Sequence, residues 1–404
     1  MSSVLTIDLT DADAFVEQRH YGMLAWLREN DPVHWHTTDD GGGFWAVTRY
    51  DDVARLYTDH EGLSSEGGPM LGGSFRSQAD PSAGRMLVAS DPPRQRQIRQ
   101  VVHRAFTHRI LGRIARQVTE LVDAAVDRAL ADGGCDFATD IAPELPAGAV
   151  MAMMGLSHRE ARELIDLTRK MIGFRDPVYV DTSDDERLRL AVTQAEIFEF
   201  FAEIVRERRR RPGDDLVSFL IEAERNGRPW PEEDILYNCM NVAVGGNETS
   251  SYTACTGLLA LHDHPGQLAA LRRRPDLMDS AVNEVLRWSS TNAYVMRVAT
   301  SDLRIGDRQV REGDSVTLWN VSANRDPAQF DRPDVFDIAR SPNRHLTYGI
   351  GIHRCIGAMV AQTELGILFR RMTDPGLTVE LSGPVRRLRS NFIQGITRMP
   401  ITVR

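Results

Sequence analysis

Apolar residues recur at helical spacing through most of this chain and alternate in only a few short places. The 3.6-residue pattern predicts helices over 11–30 (Phe15, Tyr21, Leu24 and Leu27 on one face), 51–58, 111–131, 141–156, 158–172, 186–211, 231–262, 265–273, 278–288 and 358–372, with one more opening at Asp91-Pro-Pro. Alternation predicts a hairpin of 33–36 and 44–48 around Gly41–Gly43, strands at 294–299 and 314–319, and a strand-like tail over 377–404 that turns near Gln394-Gly395. The balance is mainly α with small β-sheets (α+β). Residues 61–90 are rich in Gly, Ser and Pro, with scattered Met70, Leu71, Phe75, Met86 and Leu87. A loop of that length in a compact fold is functional or disordered. A second connector, 173–185, follows the apolar Met171 and Ile172, and 332–343 is an irregular Pro-containing meander.

Composition narrows the class. The 404 residues allow two or three domains by length alone, and 42% apolar with 26% charged residues suits a soluble globular protein. A net charge of −9 argues against a general nucleic-acid binder. The basic run 206–211 reads as a helix C-terminus stopped by Pro212-Gly213. The four cysteines, Cys135, Cys239, Cys255 and Cys355, show no CxxC pairing, which suits a reducing cytoplasm. No signal-peptide pattern opens the chain and no apolar run is long enough to cross a bilayer, so no membrane partner is expected.

Three stretches carry candidate chemistry. His345 to Gly357 places Cys355 among Gly349, Gly351 and Gly357, with His353 and Arg354 beside it and the 358–372 helix behind. Amide N–H groups of a tight loop, a helix N-terminus and basic neighbours would each favour a thiolate. The alternative is an ordinary buried cysteine. In the 231–262 helix, Val244-Gly-Gly-Asn-Glu-Thr249 puts two glycines mid-helix, each disfavoured by roughly 1 kcal/mol against alanine. They would open a backbone notch, with Asn241 and Gly245 on the face of Thr249 and Val244 adjoining. Asn241 could meet a ligand or bond locally. Glu284 and Arg287 share a helix face one turn apart.

The aromatic-Gly-x-Gly-x-His-x-Cys-x-Gly order resembles the cysteine loop of the cytochrome P-450 family, the haem-thiolate mono-oxygenases, with Tyr348 where that family usually has Phe. The order of motifs from Asp91 to Gly357 fits the same family. The resemblance implies one cytochrome P-450 domain over 1–404, with haem b between a long distal helix and the helix after the cysteine loop. It implies Cys355 as iron ligand, with His353, Tyr348, Gly349, Gly351, Gly245 and Gly246 around the haem and Arg99 and Arg297 on its propionates. Gln95 stands where many members have His. Glu248 and Thr249 would relay protons during oxygen activation. Asn241, Val244, Gly245, Asn292, Ala293, Val295, Phe392 and Ile393 would line the substrate pocket, with Tyr294 and Gln394 as further polar points. Glu284, Arg287 and Arg340 would form a structural triad. The implied activity inserts one atom of O2 into a small organic substrate, with hydroxylation in secondary metabolism, including antibiotic biosynthesis, as the expected outcome. The chain has no Rossmann or flavin motif, so electrons would come from an external ferredoxin and its reductase. Arg94, Arg96, Arg99, Arg104, Arg344 and Arg354 form a proximal docking set. The substrate could be free or tethered to a carrier protein docked near 62–90 and 173–185. Competing readings are a peroxide-driven or coupling haem enzyme and a non-catalytic haem sensor.

Overall fold

A computed structural model describes residues 6–39, 41–71, 81–183 and 185–404. Its helices are α1 Ala12–Val16, α2 His20–Asn30, α3 Tyr50–Thr58, α4 Arg94–Val102, α5 His108–Asp132, α6 Glu144–Met154, α7 His158–Ile172, α8 Glu186–Arg210, α9 Leu216–Ile221, α10 Glu232–Asp263, α11 Pro265–Arg273, α12 Met278–Ser289, α13 Asn320–Ala323 and α14 Ala358–Met372. The strands are β1 Val33–Thr37, β2 Gly43–Val47, β3 Leu63–Ser64, β4 Gly134–Asp136, β5 Glu224–Arg225, β6 Arg228–Pro229, β7 Val295–Ala299, β8 Leu303–Ile305, β9 Arg308–Val310, β10 Ser315–Leu318, β11 Val379–Leu381, β12 Arg386–Arg387, β13 Ile396–Arg398 and β14 Pro400–Val403. No helix among the described residues is long and apolar enough to cross a membrane.

Local chemistry accounts for the long helices. Thr107 caps α5 by accepting from the Ile110 amide, Gly133 closes it at φ 74°, and Ile110, Ile114, Val118, Val122 and Val126 form its buried stripe. Ser157 and Glu160 close a capping box on α7. The 32-residue α10 spans about 48 Å. It is buried on nearly all sides and packs against α6, α7, α8, α12 and α14. The largest sheet runs β1-β2-β10-β7-β3. Within it β2 and β10 are parallel, with Ala46 opposite Thr317, while β1 and β7 run antiparallel to their neighbours.

The structure departs from the sequence pattern at several helices, and adds the short α13 and the β5–β6 and β8–β9 pairs. The 11–30 helix is broken between α1 and α2 by Gln18 at φ 61°. The turn buries His20 and stacks it on Phe15 with centroids 4.4 Å apart. Helix α4 starts at Arg94, because the Asp91 carboxylate instead accepts from Ser64 Oγ (2.5 Å) and the Ser65 amide (2.9 Å). A π-turn over Phe137–Ile141 delays α6 to Glu144. The short α9 was not visible in the pattern. Phe75 lies outside the described residues.

The meander is pinned by one buried carboxylate. Glu284 accepts from Arg287 Nε and Nη2 (2.8 and 2.7 Å), Arg340 Nε (3.1 Å), Asn343 Nδ2 (3.0 Å) and the Asp337 amide (2.9 Å). Arg287 also donates to the Asn324 and Pro333 carbonyls, both at 2.8 Å. The triad expected of Glu284, Arg287 and Arg340 is therefore present.

Candidate active site

The cysteine loop doubles back on itself. The Cys355 amide donates to the Tyr348 carbonyl at 2.8 Å, and a 3-10 turn spans Gly351–His353 between them. Gly349 (φ 58°) and Gly351 (φ 75°) hold left-handed conformations. A Cβ on Gly349 would stand 3.1 Å from the Tyr57 ring, and one on Gly351 would stand 3.0 Å from the Tyr57 carbonyl. Both glycines are thus required for the loop to lie against α3. From the other side Gln95 Nε2 donates to the Ile352 carbonyl and Arg99 Nη2 to the Arg354 carbonyl, both at 2.8 Å.

Of the four cysteines, Cys355 is exposed, Cys135 is partly buried, and Cys239 and Cys255 are buried. Solvent reaches Cys355 although protein surrounds it on most sides. That crowding raises its pKa above the ordinary thiol value; the Gly357 amide and the Arg99 and Arg354 charges pull it down by less. The protein alone therefore does not produce the lowered pKa expected from the loop. The expected positive charge at His353 is also absent. Burial, and then the Arg297 and Arg99 charges, push its imidazole down to about 3, so it is neutral and meets Ser65 Oγ at 3.0 Å. The Tyr348 hydroxyl is buried without a hydrogen-bond partner.

Arg297 is 5% exposed, and its guanidinium donates to the Met296 carbonyl at 2.7 Å. Among the described residues no carboxylate stands within ion-pair distance of it. Arg99, half-buried, is likewise without a carboxylate partner among the described residues. A buried unpaired cation is strongly disfavoured, so this corner fits a ligand that brings carboxylates.

Helix α10 opens in its middle. Gly245 and Gly246 are exposed, and a Cβ added to either would meet no atom within 4 Å outside the helix's own nearby backbone. Thr249 Oγ1 donates to the Gly245 carbonyl at 2.8 Å on this open side. The next residue faces α14, where Ser250 Oγ donates to Glu364 Oε2 at 2.5 Å and ties α10 to the helix behind the cysteine loop. Glu248 lies on neither side. It is 1% exposed and points at α7, where Oε1 accepts from Thr168 Oγ1 (3.3 Å) and Oε2 stands 3.6 Å from Arg169 Nε. Burial raises its pKa, which Arg169 counters only in part.

The candidate pocket residues divide. Val244, Phe392 and Ile393 meet in one apolar cluster, joined by Ile172, Tyr179, Tyr252 and Leu388, which the sequence did not single out. The Asn241 side chain makes no hydrogen bond among the described residues, so the local-bonding alternative is not realised. Ala293, fully buried, belongs to the aromatic core with Phe15 and Trp319, and Val295 packs in the sheet core. Three polar points are turned into the frame. Tyr294 Oη accepts from the Leu71 amide (3.1 Å), Gln394 Nε2 donates to the Ser289 and Ser290 carbonyls (3.3 and 3.0 Å), and Asn292 Oδ1 accepts from Asn320 (3.3 Å). Arg94 leaves the proximal docking set: it is buried, pairs with Asp234 at 2.8 Å and stacks on Trp230.

A family model described as Cytochrome P450 matches residues 43–373. The chain belongs to the cytochrome P450 family. Cytochrome P450 NovI of Streptomyces niveus is 32% identical over 403 residues, covering 100% of this chain and 97% of that protein. Linalool 8-monooxygenase of Pseudomonas putida is 30% identical, covering 98% of each. The structure of P450 OxyD, involved in the biosynthesis of vancomycin-type antibiotics, superposes with a TM-score of 0.87 at 34% identity, covering 98% of this chain and 99% of that one. P450BioI, in complex with an acyl carrier protein ligated by hexadec-9Z-enoic acid, gives 0.84 at 26% identity, covering 97% and 100%. As a cytochrome P450 the protein is a monooxygenase that binds haem b through a cysteine thiolate and draws electrons from a redox partner. The residues present fit that group: a solvent-reached thiol in the glycine loop, an open glycine face on α10, and Arg297 and Arg99 with no carboxylate partner among the described residues.

Glu364 supplies a test of the α10–α14 tie. Burial pushes its carboxyl up to about 8, with the Ser250 bond pulling the other way. A pKa raised on folding means stability is fully present below the unfolded value near 4.5 and declines as pH climbs through about 8. Glu364→Gln is expected to flatten that decline, worth on the order of several kcal/mol, in urea unfolding curves between pH 5 and about 8.5.

Proposed function

We propose that this cytochrome P450, folded as one domain over 1–404, hydroxylates a medium-sized, mostly apolar small molecule of secondary metabolism in the cytoplasm. Cys355 holds the haem iron, Arg297 and Arg99 hold its propionates, and His353, Tyr348, Gly349, Gly351, Gly245 and Gly246 shape the space around it. Bound haem supplies the oxygen-activating chemistry. Thr249 offers its hydroxyl on the open face of α10, and Glu248, whose carboxyl pKa is raised by burial, stands behind it as the acid. The observation that carries this reading is the break in burial at Gly245–Thr249: an otherwise buried helix exposes two glycines and one hydroxyl on the same side. A sensor or carrier needs no such hydroxyl, and a peroxide-driven enzyme needs no acid behind it.

Electrons come from an acidic ferredoxin and its reductase. The exposed Arg96, Arg344 and Arg354, with Met359 at 58% exposure five residues after Arg354, support that docking face on a chain of net charge −9. For the substrate, Val244, Phe392 and Ile393 supply apolar walls and Asn241 one free polar group. NovI and OxyD support secondary metabolism. Exposed Leu188, Val192 and Val178 on α8 and its connector support a carrier-protein dock on the distal side.

Titration of the ferric protein with free polyketides, terpenoids, aromatics and amino acids, and with the same groups on a carrier protein, tests this. A blue shift of the haem band with a free compound is the expected result. A shift only with tethered compounds moves the substrate to the carrier-bound class, and none with any compound rejects the substrate class.

A further inference from the structure

Four buried polar atoms in one neighbourhood make no well-formed hydrogen bond: Glu248 Oε2, Arg169 Nε, Asn247 Oδ1 and Tyr252 Oη. Glu248 Oε2 and Arg169 Nε only approach one another, at 3.6 Å, and the Tyr252 phenol only loosely approaches Glu248 and Tyr179. Burying such a group without a good partner is unfavourable, so four together mark a place that lacks one. The set is complementary. Arg169 Nε and the Tyr252 phenol donate, while Glu248 Oε2 and Asn247 Oδ1 accept. One water, with two protons and two lone pairs, matches all four, and buried waters typically make two to four bonds of this kind. Glu248 is under-bonded on its other oxygen too. Thr168 has a single hydroxyl proton and two acceptors in reach, the Ile165 carbonyl at 3.0 Å and Glu248 Oε1 at 3.3 Å.

The cluster leads outward. Tyr252 lies one helical turn after Glu248, and its phenol sits beside both Glu248 and Tyr179. Tyr179, in the connector between α7 and α8, is only half-buried. Each ring is seated by a glycine. A Cβ on Gly173 would fall 2.4 Å from Tyr179 Cδ2, and a Cβ on Gly395 would fall 2.7 Å from the Tyr252 ring. Two elements far apart in sequence thus leave out a side chain where a tyrosine must lie. The open face of Thr249 is a separate direction, since consecutive helix residues point about 100° apart.

We propose that the α7 side of α10 holds an internal water site formed by Glu248, Arg169, Asn247 and Tyr252, and that the Tyr252 and Tyr179 phenols connect it to solvent as the proton supply of Glu248. The proposal deepens the role given to Glu248 above and rests on that reading for its part in turnover. Each hop breaks one O–H bond and forms one. The Tyr252 phenol passes its proton inward through the water as it takes one from Tyr179, which takes one from solvent. The sum is one proton from bulk water to the Glu248 carboxylate, with no electron moved and neither phenol left ionised.

The test uses full-length, haem-loaded protein without substrate. The infrared carbonyl band of the Glu248 carboxyl, brought up by lowering the pH and identified by its loss in Glu248→Gln, is followed after mixing into D2O. Tyr252→Phe keeps the ring and removes only the hydroxyl. It is expected to shift the band and slow its exchange roughly 10-fold, less than the ~10² of a residue touching the reacting group. Tyr179→Phe is expected to slow exchange while leaving the band in place. Crystals should show a water within about 3.2 Å of Glu248 Oε2 and Tyr252 Oη. Unchanged exchange in both Phe variants, or no water there, overturns the proposal. The reading beneath it is judged separately, by reductant-driven oxygen consumption of Glu248→Gln. Normal proton-dependent turnover in that variant removes Glu248 from the chemistry while the exchange result still decides the path.

Discussion

Cys355→Ser is expected to abolish monooxygenase turnover and to remove the red-shifted band of the reduced, carbon-monoxide-bound haem. The effect should be complete, because no other thiol can take its place. Cys239 and Cys255 are buried with thiols raised far above the ordinary value, and Cys135 is pushed up to about 12, first by its partial burial and then by Asp140, Asp136 and Asp132. Serine fits the same loop, since the turn is set by Gly349, Gly351 and the Cys355 amide bond to Tyr348 rather than by sulfur. Circular dichroism should therefore be unchanged. Haem is expected to remain partly bound, because Arg297 and Arg99 still offer their charges. A variant that kept the red-shifted band would reject Cys355 as the ligand.

Glu284→Ala is expected to lower stability by about 3–5 kcal/mol, the range for removing one partner from a buried ion pair. Arg287 is 0% exposed and would keep its charge with its carboxylate gone. Arg340, Asn343 and the Asp337 amide would lose the same acceptor, so the meander before the cysteine loop should loosen at once. Urea titration reads the first effect and faster haem loss the second. Glu284→Leu with Arg287→Met should cost less than Glu284→Ala, because it leaves no buried cation. Equal losses in both would mean that Glu284 acts through packing alone.

What could be read from the chain followed the range of the interactions involved. Helices α5 and α7 carry apolar periodicity and caps within a few residues of their ends, and the cysteine loop is a thirteen-residue run whose glycines state its shape. Gln18 breaks a helix without Gly or Pro because the gain lies in packing His20 on Phe15. Arg94 reads as a surface cation until Asp234, 140 residues away, is brought to it. His353 reads as positive until burial and two arginines remove the proton. Glu248 and Thr249 read as one acid–alcohol pair, yet helix geometry sends them to different walls. Tyr252 and Tyr179 carry no motif at all; only the glycines opposite them, Gly395 and Gly173, hint at their places.

The five-stranded sheet carries a consequence for synthesis. Strand β2 has β10 as its parallel neighbour, and β3 pairs with β7. While a ribosome is still making α10, the hairpin of β1 and β2 has emerged with one edge bare, and its partner begins only at Ser315. Such an edge invites pairing with other chains. The N-terminal quarter of the molecule must therefore be completed late, after most of the helices behind it have been translated, and chains stalled before Ser315 are the ones expected to aggregate.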